Sequence, residues 1–264
     1  IKSIASTYAR WQFNAPEEEI DYSAYRTLLH INGQKKGDNI QEIDTISRMV
    51  YGMASAYMLT GDELFLDCAE KGTEYLREKA RNTAPDGESV YWCHALRVDG
   101  KKVEKIIGSR FGDDYGVIPA YEQIYAIAGP VQTYRLTGDP RILDDVEKTI
   151  SLFDNYFKDN EGEGYYSHLD PETFETKNDK LAERGNSGKK NWNSVGDHAP
   201  AYLVNLFLAT GEQKYADFLE YTFDTIATRF PDFDESPFVQ ERFFEDWSKD
   251  QTWGWQQNRA VVGH

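Results

Sequence analysis

Ile43-Asp44-Thr45-Ile46-Ser47-Arg48-Met49-Val50-Tyr51-Gly52-Met53-Ala54-Ser55-Ala56-Tyr57-Met58-Leu59-Thr60-Gly61-Asp62 is the stretch whose reading decides the fold. Ile43, Ile46, Val50, Met53, Ala54 and Tyr57 recur at the spacing of one buried helix face. Thr60-Gly61-Asp62 then stops the helix. Gly61 supplies the left-handed residue that closes a helix C-terminus, and Asp62 supplies oxygens for the open N–H groups of a second helix. That second helix shows Phe65, Cys68, Ala69, Gly72, Tyr75 and Leu76 on one face.

The device recurs twice. Ile124, Ile127, Ala128, Val131 and Tyr134 run into Thr137-Gly138-Asp139-Pro140, where proline suits a first helical turn, and Leu143, Val146, Ile150 and Phe153 follow. Leu203, Leu206 and Phe207 run into Thr210-Gly211-Glu212, and Tyr215, Phe218, Leu219, Phe223 and Ile226 follow. A single helical hairpin cannot bury its apolar stripe, so repeated hairpins must pack side by side. The joints stand 77 and 73 residues apart, far from the period of about 34 in tetratricopeptide arrays. The extra length lies in two connectors, 82–120 and 157–198. Asp99-Gly100 and Asp170-Pro171 mark turns within them, so they read as ordered segments that build a site on a helical scaffold. Only Lys177 to Lys190, with Gly185-Asn186-Ser187-Gly188, reads as a mobile surface loop. Residues 1–264 are expected to form one domain.

Bulk composition narrows the function classes. The formal net charge of -16 repels phosphates, which argues against nucleic acid and anionic membrane surfaces as partners. No apolar run reaches the ~18 residues of a membrane span. Two cysteines, Cys68 and Cys93, are too few for a disulfide framework or a structural zinc site. Aromatic residues make up 14% of the chain, including 17 Tyr and 6 Trp. Flat rings of this kind floor sugar sites as readily as they fill cores.

The common phosphate-loop, dinucleotide, zinc-protease and serine-nucleophile patterns are absent. The five histidines, His30, His94, His168, His198 and His264, make no local metal-ligand pair. Chemistry is therefore expected from positioned acids and bases, with no cofactor and no metal. His198 follows Lys190-Asn191-Trp192-Asn193-Ser194-Val195-Gly196-Asp197, just before an apolar helix; a cap role and a cavity-facing role both fit it and Asp197. Arg48 sits in an otherwise apolar helix, where it either pairs with Asp44 one turn earlier or serves a site. Tyr121-Glu122-Gln123 opens the helix of the second hairpin, as cap residues or as pocket wall.

At these residues the chain resembles the N-acylglucosamine 2-epimerase family, which includes cellobiose 2-epimerases and aldose–ketose isomerases. The matching pieces are Ser47 to Asp62, Tyr121-Glu122-Gln123-Ile124-Tyr125 to Asp139, Lys190-Asn191 to His198, and Gly263-His264, in the family's order. The resemblance implies an all-α (α/α)6 toroid whose C-terminal part is missing from this chain. It implies cofactor-free removal of the proton on C2 of a ring-opened reducing sugar, and its return to C2 or to C1. By position, Arg48 matches the residue that binds substrate oxygens, His264 one of two proton-transferring histidines, and His198 a supporting histidine. Tyr121, Trp192, Asn193, Asp197 and Trp255 are the implied substrate-binding set. His198-Ala199-Pro200-Ala201-Tyr202 departs from the family's His-x-x-Glu-Ala, and nothing here matches the second proton-transferring histidine.

The implied partner is a small carbohydrate, with a homodimer as the assembly the family allows and the cytoplasm as the expected location. Two other classes fit the same scaffold. One is a glycoside hydrolase or lyase using a carboxylate pair, Asp113 or Asp114 with Asp197 or Glu122. The other is a sugar-binding module without catalysis.

Overall fold

A computed structural model describes residues 1–252 and 259–260, the side chains of Asp113 and Ala260 excepted. Among the described residues there are eight α-helices: α1 Lys2–Phe13, α2 Ile43–Thr60, α3 Glu63–Lys79, α4 Ala120–Thr137, α5 Pro140–Leu152, α6 Asp179–Glu183, α7 His198–Thr210 and α8 Gln213–Arg229.

The three joints share one set of bonds at the Thr-Gly pair. Gly61, Gly138 and Gly211 take φ of +66°, +66° and +68°. Their N–H groups donate to Tyr57, Tyr134 and Phe207 carbonyls, each at 2.8 Å. The threonine before each glycine does double duty. Its hydroxyl donates to the carbonyl four residues back, at 2.7 Å for Thr60, 3.1 Å for Thr137 and 3.0 Å for Thr210. The same oxygen accepts the N–H two residues on, at 3.3 Å in all three copies. Threonine thus joins the last open carbonyls of one helix to the entry of the next, satisfying groups that a helix end otherwise leaves to water.

The described chain divides into two compact units. One comprises Ile1–Ala84, Val90–Ile107 and Tyr125–Thr149, and the other Pro85–Ser89, Gly108–Ile124 and Ile150–His264. In the first unit α2 is clasped by α3 on one side and α4 on the other, and glycines set the spacing. A Cβ at Gly72 would stand 2.4 Å from Val50 Cγ2, and one at Gly129 would stand 2.3 Å from the Ser47 carbonyl. Pro130 lies inside α4, so the ladder lacks the N–H that would serve the Ala126 carbonyl. Ser47 fills the gap from α2. Its hydroxyl lies 3.3 Å from the Ala126 oxygen and accepts the Gly129 N–H at 2.9 Å. A three-stranded antiparallel sheet of Ile40–Glu42, Ala95–Asp99 and Lys102–Ile106 fills the connector, with Gly100 at φ +60° in the turn read from Asp99-Gly100.

In the second unit α7 and α8 form the third hairpin, and short antiparallel ribbons pair Ile118–Pro119 with His168–Leu169 and Lys190–Asn191 with Arg242–Phe243. Trp192, Phe230, Val239 and Phe243 make its aromatic core. Two adjacent lysines are buried here, each with its own carboxylate. Lys189 Nζ meets Asp250 at 2.5 Å and lies 3.6 Å above the Phe244 ring. Lys190 Nζ meets Asp159 at 2.6 Å and donates to the Glu163 and Glu245 carbonyls at 2.8 and 2.9 Å. Segment 177–190 is not the loose loop its composition implies. Asn178 caps α6 through the Leu181 N–H at 2.8 Å, Arg242 reaches the Gly185 carbonyl, and Asn186 is fully buried. Its partner Arg242 comes from more than 50 residues away in sequence, so no local pattern announces that tie.

Candidate functional site

His198 starts α7 directly after a π-helical turn, Trp192–Asp197. The Asn191 side chain caps that turn, accepting the Ser194 N–H at 2.9 Å. Within it, Gly196 passes under the Trp192 ring so closely that a Cβ would stand 2.2 Å from an indole carbon. The turn carries the Asn193 carbonyl to 2.5 Å from His198 Nδ1. A carbonyl only accepts, so Nδ1 holds a proton and donates; in the neutral form of such a ring Nε2 is the acceptor. Asp197 Oδ2 lies 3.9 Å from the same Nδ1, beyond hydrogen-bond range, and its side chain makes no cap bond to α7.

Tyr121, in the first turn of α4, lies against the His198 ring with centroids 5.5 Å apart, and its hydroxyl is 3.4 Å from Glu122 Oε1. Both Tyr121 and Glu122 are buried. Of the substrate-binding set implied by the resemblance, the second unit therefore brings Tyr121 and Asn193 against the supporting histidine His198, with Asn193 acting through its backbone oxygen. Trp192 sits in the aromatic core, edge-on to Phe230 at 5.4 Å and only 5% exposed. It backs the turn that carries His198. Trp255 and His264 lie outside the described residues, as does the side chain of Asp113.

Sequence reasoning offered Asp114 only as one member of a carboxylate pair and did not join it to His168. His168 Nε2 is 2.6 Å from Asp114 Oδ1, with the two side chains 0% and 7% exposed. The partners are 54 residues apart, and neither falls in a recognisable motif. The available signal is a histidine inside a connector whose turns mark it as ordered.

In the first unit Arg48 makes the pair with Asp44 and also stacks on an aromatic ring. Its Nη1 is 3.3 Å from Asp44 Oδ2, and its guanidinium stacks 4.1 Å over the Tyr125 ring. The side chain is half exposed and borders a cavity of about 500 Å³ whose walls include Tyr8, Tyr25, Met49 and Met53. Among the described residues no cluster of His, Cys, Asp and Glu is arranged to hold a metal ion, and no helix is long and apolar enough to cross a membrane.

No protein-family model and no curated protein sequence matches the chain. Solved structures do. A D-mannose isomerase superposes with a TM-score of 0.67 at 18% identity, covering 97% of this chain and 60% of the isomerase. A cellobiose 2-epimerase from Bacillus thermoamylovorans gives 0.66 at 16% identity, covering 95% of this chain and 62% of the epimerase. An α-mannanase of glycoside hydrolase family 76 from Bacteroides thetaiotaomicron gives 0.55 at 12% identity, with 82% and 51% covered. At these identities the likeness is one of fold. The chain has the (α/α)6 hairpin fold expected from its sequence, and it spans about three fifths of the length of the sugar isomerase and epimerases it matches.

Proposed function

We propose that this chain belongs to a sugar 2-epimerase or aldose–ketose isomerase that works without a cofactor, by histidine-mediated proton transfer at C2 of a ring-opened reducing sugar. The observation that carries the reading is the state of His198, whose Nδ1–H is committed to the Asn193 carbonyl while Tyr121 covers the ring. An imidazole held in one tautomer suits a base or a hydrogen-bond partner beside an enediolate, where the proton must leave and return at a fixed place. The fold shared with a D-mannose isomerase and cellobiose 2-epimerases supports the same chemistry.

In this proposal His264 moves the proton, His198 supports the sugar ring, and Arg48 binds substrate oxygens as its charge stabilises the enediolate. Tyr121 and Trp255 wall the substrate, Asn193 and Trp192 hold His198 in place, and Asp197 adds negative charge beside the imidazole. Residues 1–264 act as one domain on a small carbohydrate in the cytoplasm, with a homodimer as the assembly. Incubation of the whole protein in D2O with a panel of aldoses, amino sugars and disaccharides should place deuterium at C2 of at least one of them. No exchange across the panel would sink the proposal.

The likeness to family 76 α-mannanases gives a second reading, hydrolysis by a carboxylate pair drawn from Glu122, Asp197, Asp113 and Asp114. It expects cleavage of an oligosaccharide that Glu122→Gln abolishes and His264→Ala spares.

A further inference from the structure

The residue before His168 is a structural crossroads. Ser167 N–H donates to the Lys189 carbonyl at 2.8 Å, and the Ser167 carbonyl accepts the Ala120 N–H at 2.9 Å. The Ser167 hydroxyl accepts the Asn191 N–H at 2.7 Å. One short strand end therefore holds the entry to α4, where Tyr121 follows Ala120. It also holds the segment that leads into the π-helical turn, where Asn191 caps and His198 follows.

Packing alone does not call for a histidine at position 168. The side chain is fully buried, and its Nδ1 has no hydrogen-bond partner among the described residues. A leucine would fill similar space without leaving a buried polar atom bare. The ring's other nitrogen is fixed to Asp114 at 2.6 Å, a charge-assisted bond of the short, directional kind. Asp114 comes from the loop just before the Ile118–Pro119 strand, and Pro119 is the register partner of His168. The pair thus clamps the ribbon from both ends: Asp114 ahead of one strand, His168 within the other.

We propose that the His168–Asp114 pair positions His198. It fixes the Ser167 crossroads, and through it the distance between the Tyr121 turn and the His198 turn. Its importance for catalysis rests on the reading of His198 as a site residue, but the positioning itself is measured without any sugar.

The test is nitrogen NMR of the whole 264-residue chain labelled at histidine, well above the usual imidazole pKa of about 6.5. The chain has five histidines, so the ring signals of His198 are assigned by their loss in His198→Gln. The unaltered protein should show a single Nδ1–H tautomer for His198. Asp114→Ala should lose that single-tautomer pattern, with the two ring nitrogens moving toward a common averaged shift. His168→Leu, which keeps the volume and removes the bond, should do the same. Asp114→Asn, whose amide oxygen still accepts from His168 Nε2–H, should restore it. An unchanged His198 pattern in both Asp114→Ala and His168→Leu overturns the proposal. So does unfolding of both, seen as loss of helical circular dichroism, because the pair would then hold the fold and not the ring. A C2-exchange assay that fails while these shifts behave as expected removes the epimerase reading and leaves the positioning intact.

Discussion

Gly196 shows how narrow the tolerance around His198 is. A methyl group there would meet the Trp192 ring at 2.2 Å, and that ring is locked against Phe230 in the core. Gly196→Ala must therefore displace the turn or the indole, an overpacking change of about 1–3 kcal/mol. We expect a lower urea midpoint, and a larger proportional loss of any C2-exchange activity than of stability, since the turn carries the Asn193 carbonyl that His198 uses. Equal activity in the variant would show that the turn need not be tight. At this scale the sequence is a poor guide. Trp192, one of the implied substrate-binding residues, lies in the aromatic core. Aromatic residues announce apolar surface, and only tertiary packing decides whether that surface meets ligand or protein. The His168–Asp114 pair was illegible for a different reason: its partners are joined by a ribbon register that no local pattern encodes.

Elements were far easier to read. Amphipathic spacing and glycine stops are local properties, and the three hairpins follow from them directly. What escaped notice was the repair inside one helix. Ser47 supplies the hydrogen-bonding groups around the Pro130 break in α4, so Ser47→Ala leaves the Ala126 carbonyl and the Gly129 N–H without that partner in a buried contact. Losing it should cost about 1–3 kcal/mol, read as a fall in thermal midpoint, while Ser47→Thr should recover part of the loss. A fully stable Ser47→Ala would mean that α4 closes its own gap. Segment 177–190 teaches the converse lesson. Glycine, serine and asparagine suit a loose loop, but here Arg242 and Glu245, both remote in sequence, tie it down.

Charge acts on the molecule as a whole. With a net charge of -16 and a pI near 4.7, the native protein repels itself at neutral pH, and added salt should raise its thermal midpoint. Acid acts through particular carboxylates. Burial pushes Asp159 and Asp250 up, but the ammonium groups of Lys190 and Lys189, with nearby backbone N–H groups, pull both further down, so their folded values lie below the ordinary range. Exposed Asp86 is held at about 2: burial pushes it up, but the Ser89 hydroxyl and the backbone N–H groups of Glu88 and Ser89 together pull it further down. A depressed folded pKa contributes stability that is fully present above the unfolded value of about 3.9 and is lost as pH falls through the folded value. Unfolding free energy from urea titrations should therefore decline steadily below about pH 4. Asp159→Asn should start lower, by about 3–5 kcal/mol for a buried lysine that has lost its countercharge, and decline less steeply. Parallel slopes for the two proteins would contradict this account.

The bond from Ser47 to the interrupted stretch of α4 also bears on how the chain can be divided. Residues 120–137 do not contain all the hydrogen-bonding groups that their own helix requires. One is delivered from a segment 79 residues earlier in the sequence. A synthetic peptide of that stretch should fray around Ala126, and adding the Ile43–Thr60 peptide should mend it. Secondary structure here is a property held jointly by two segments, so fragments cut between them inherit a defect that neither sequence reveals when inspected alone.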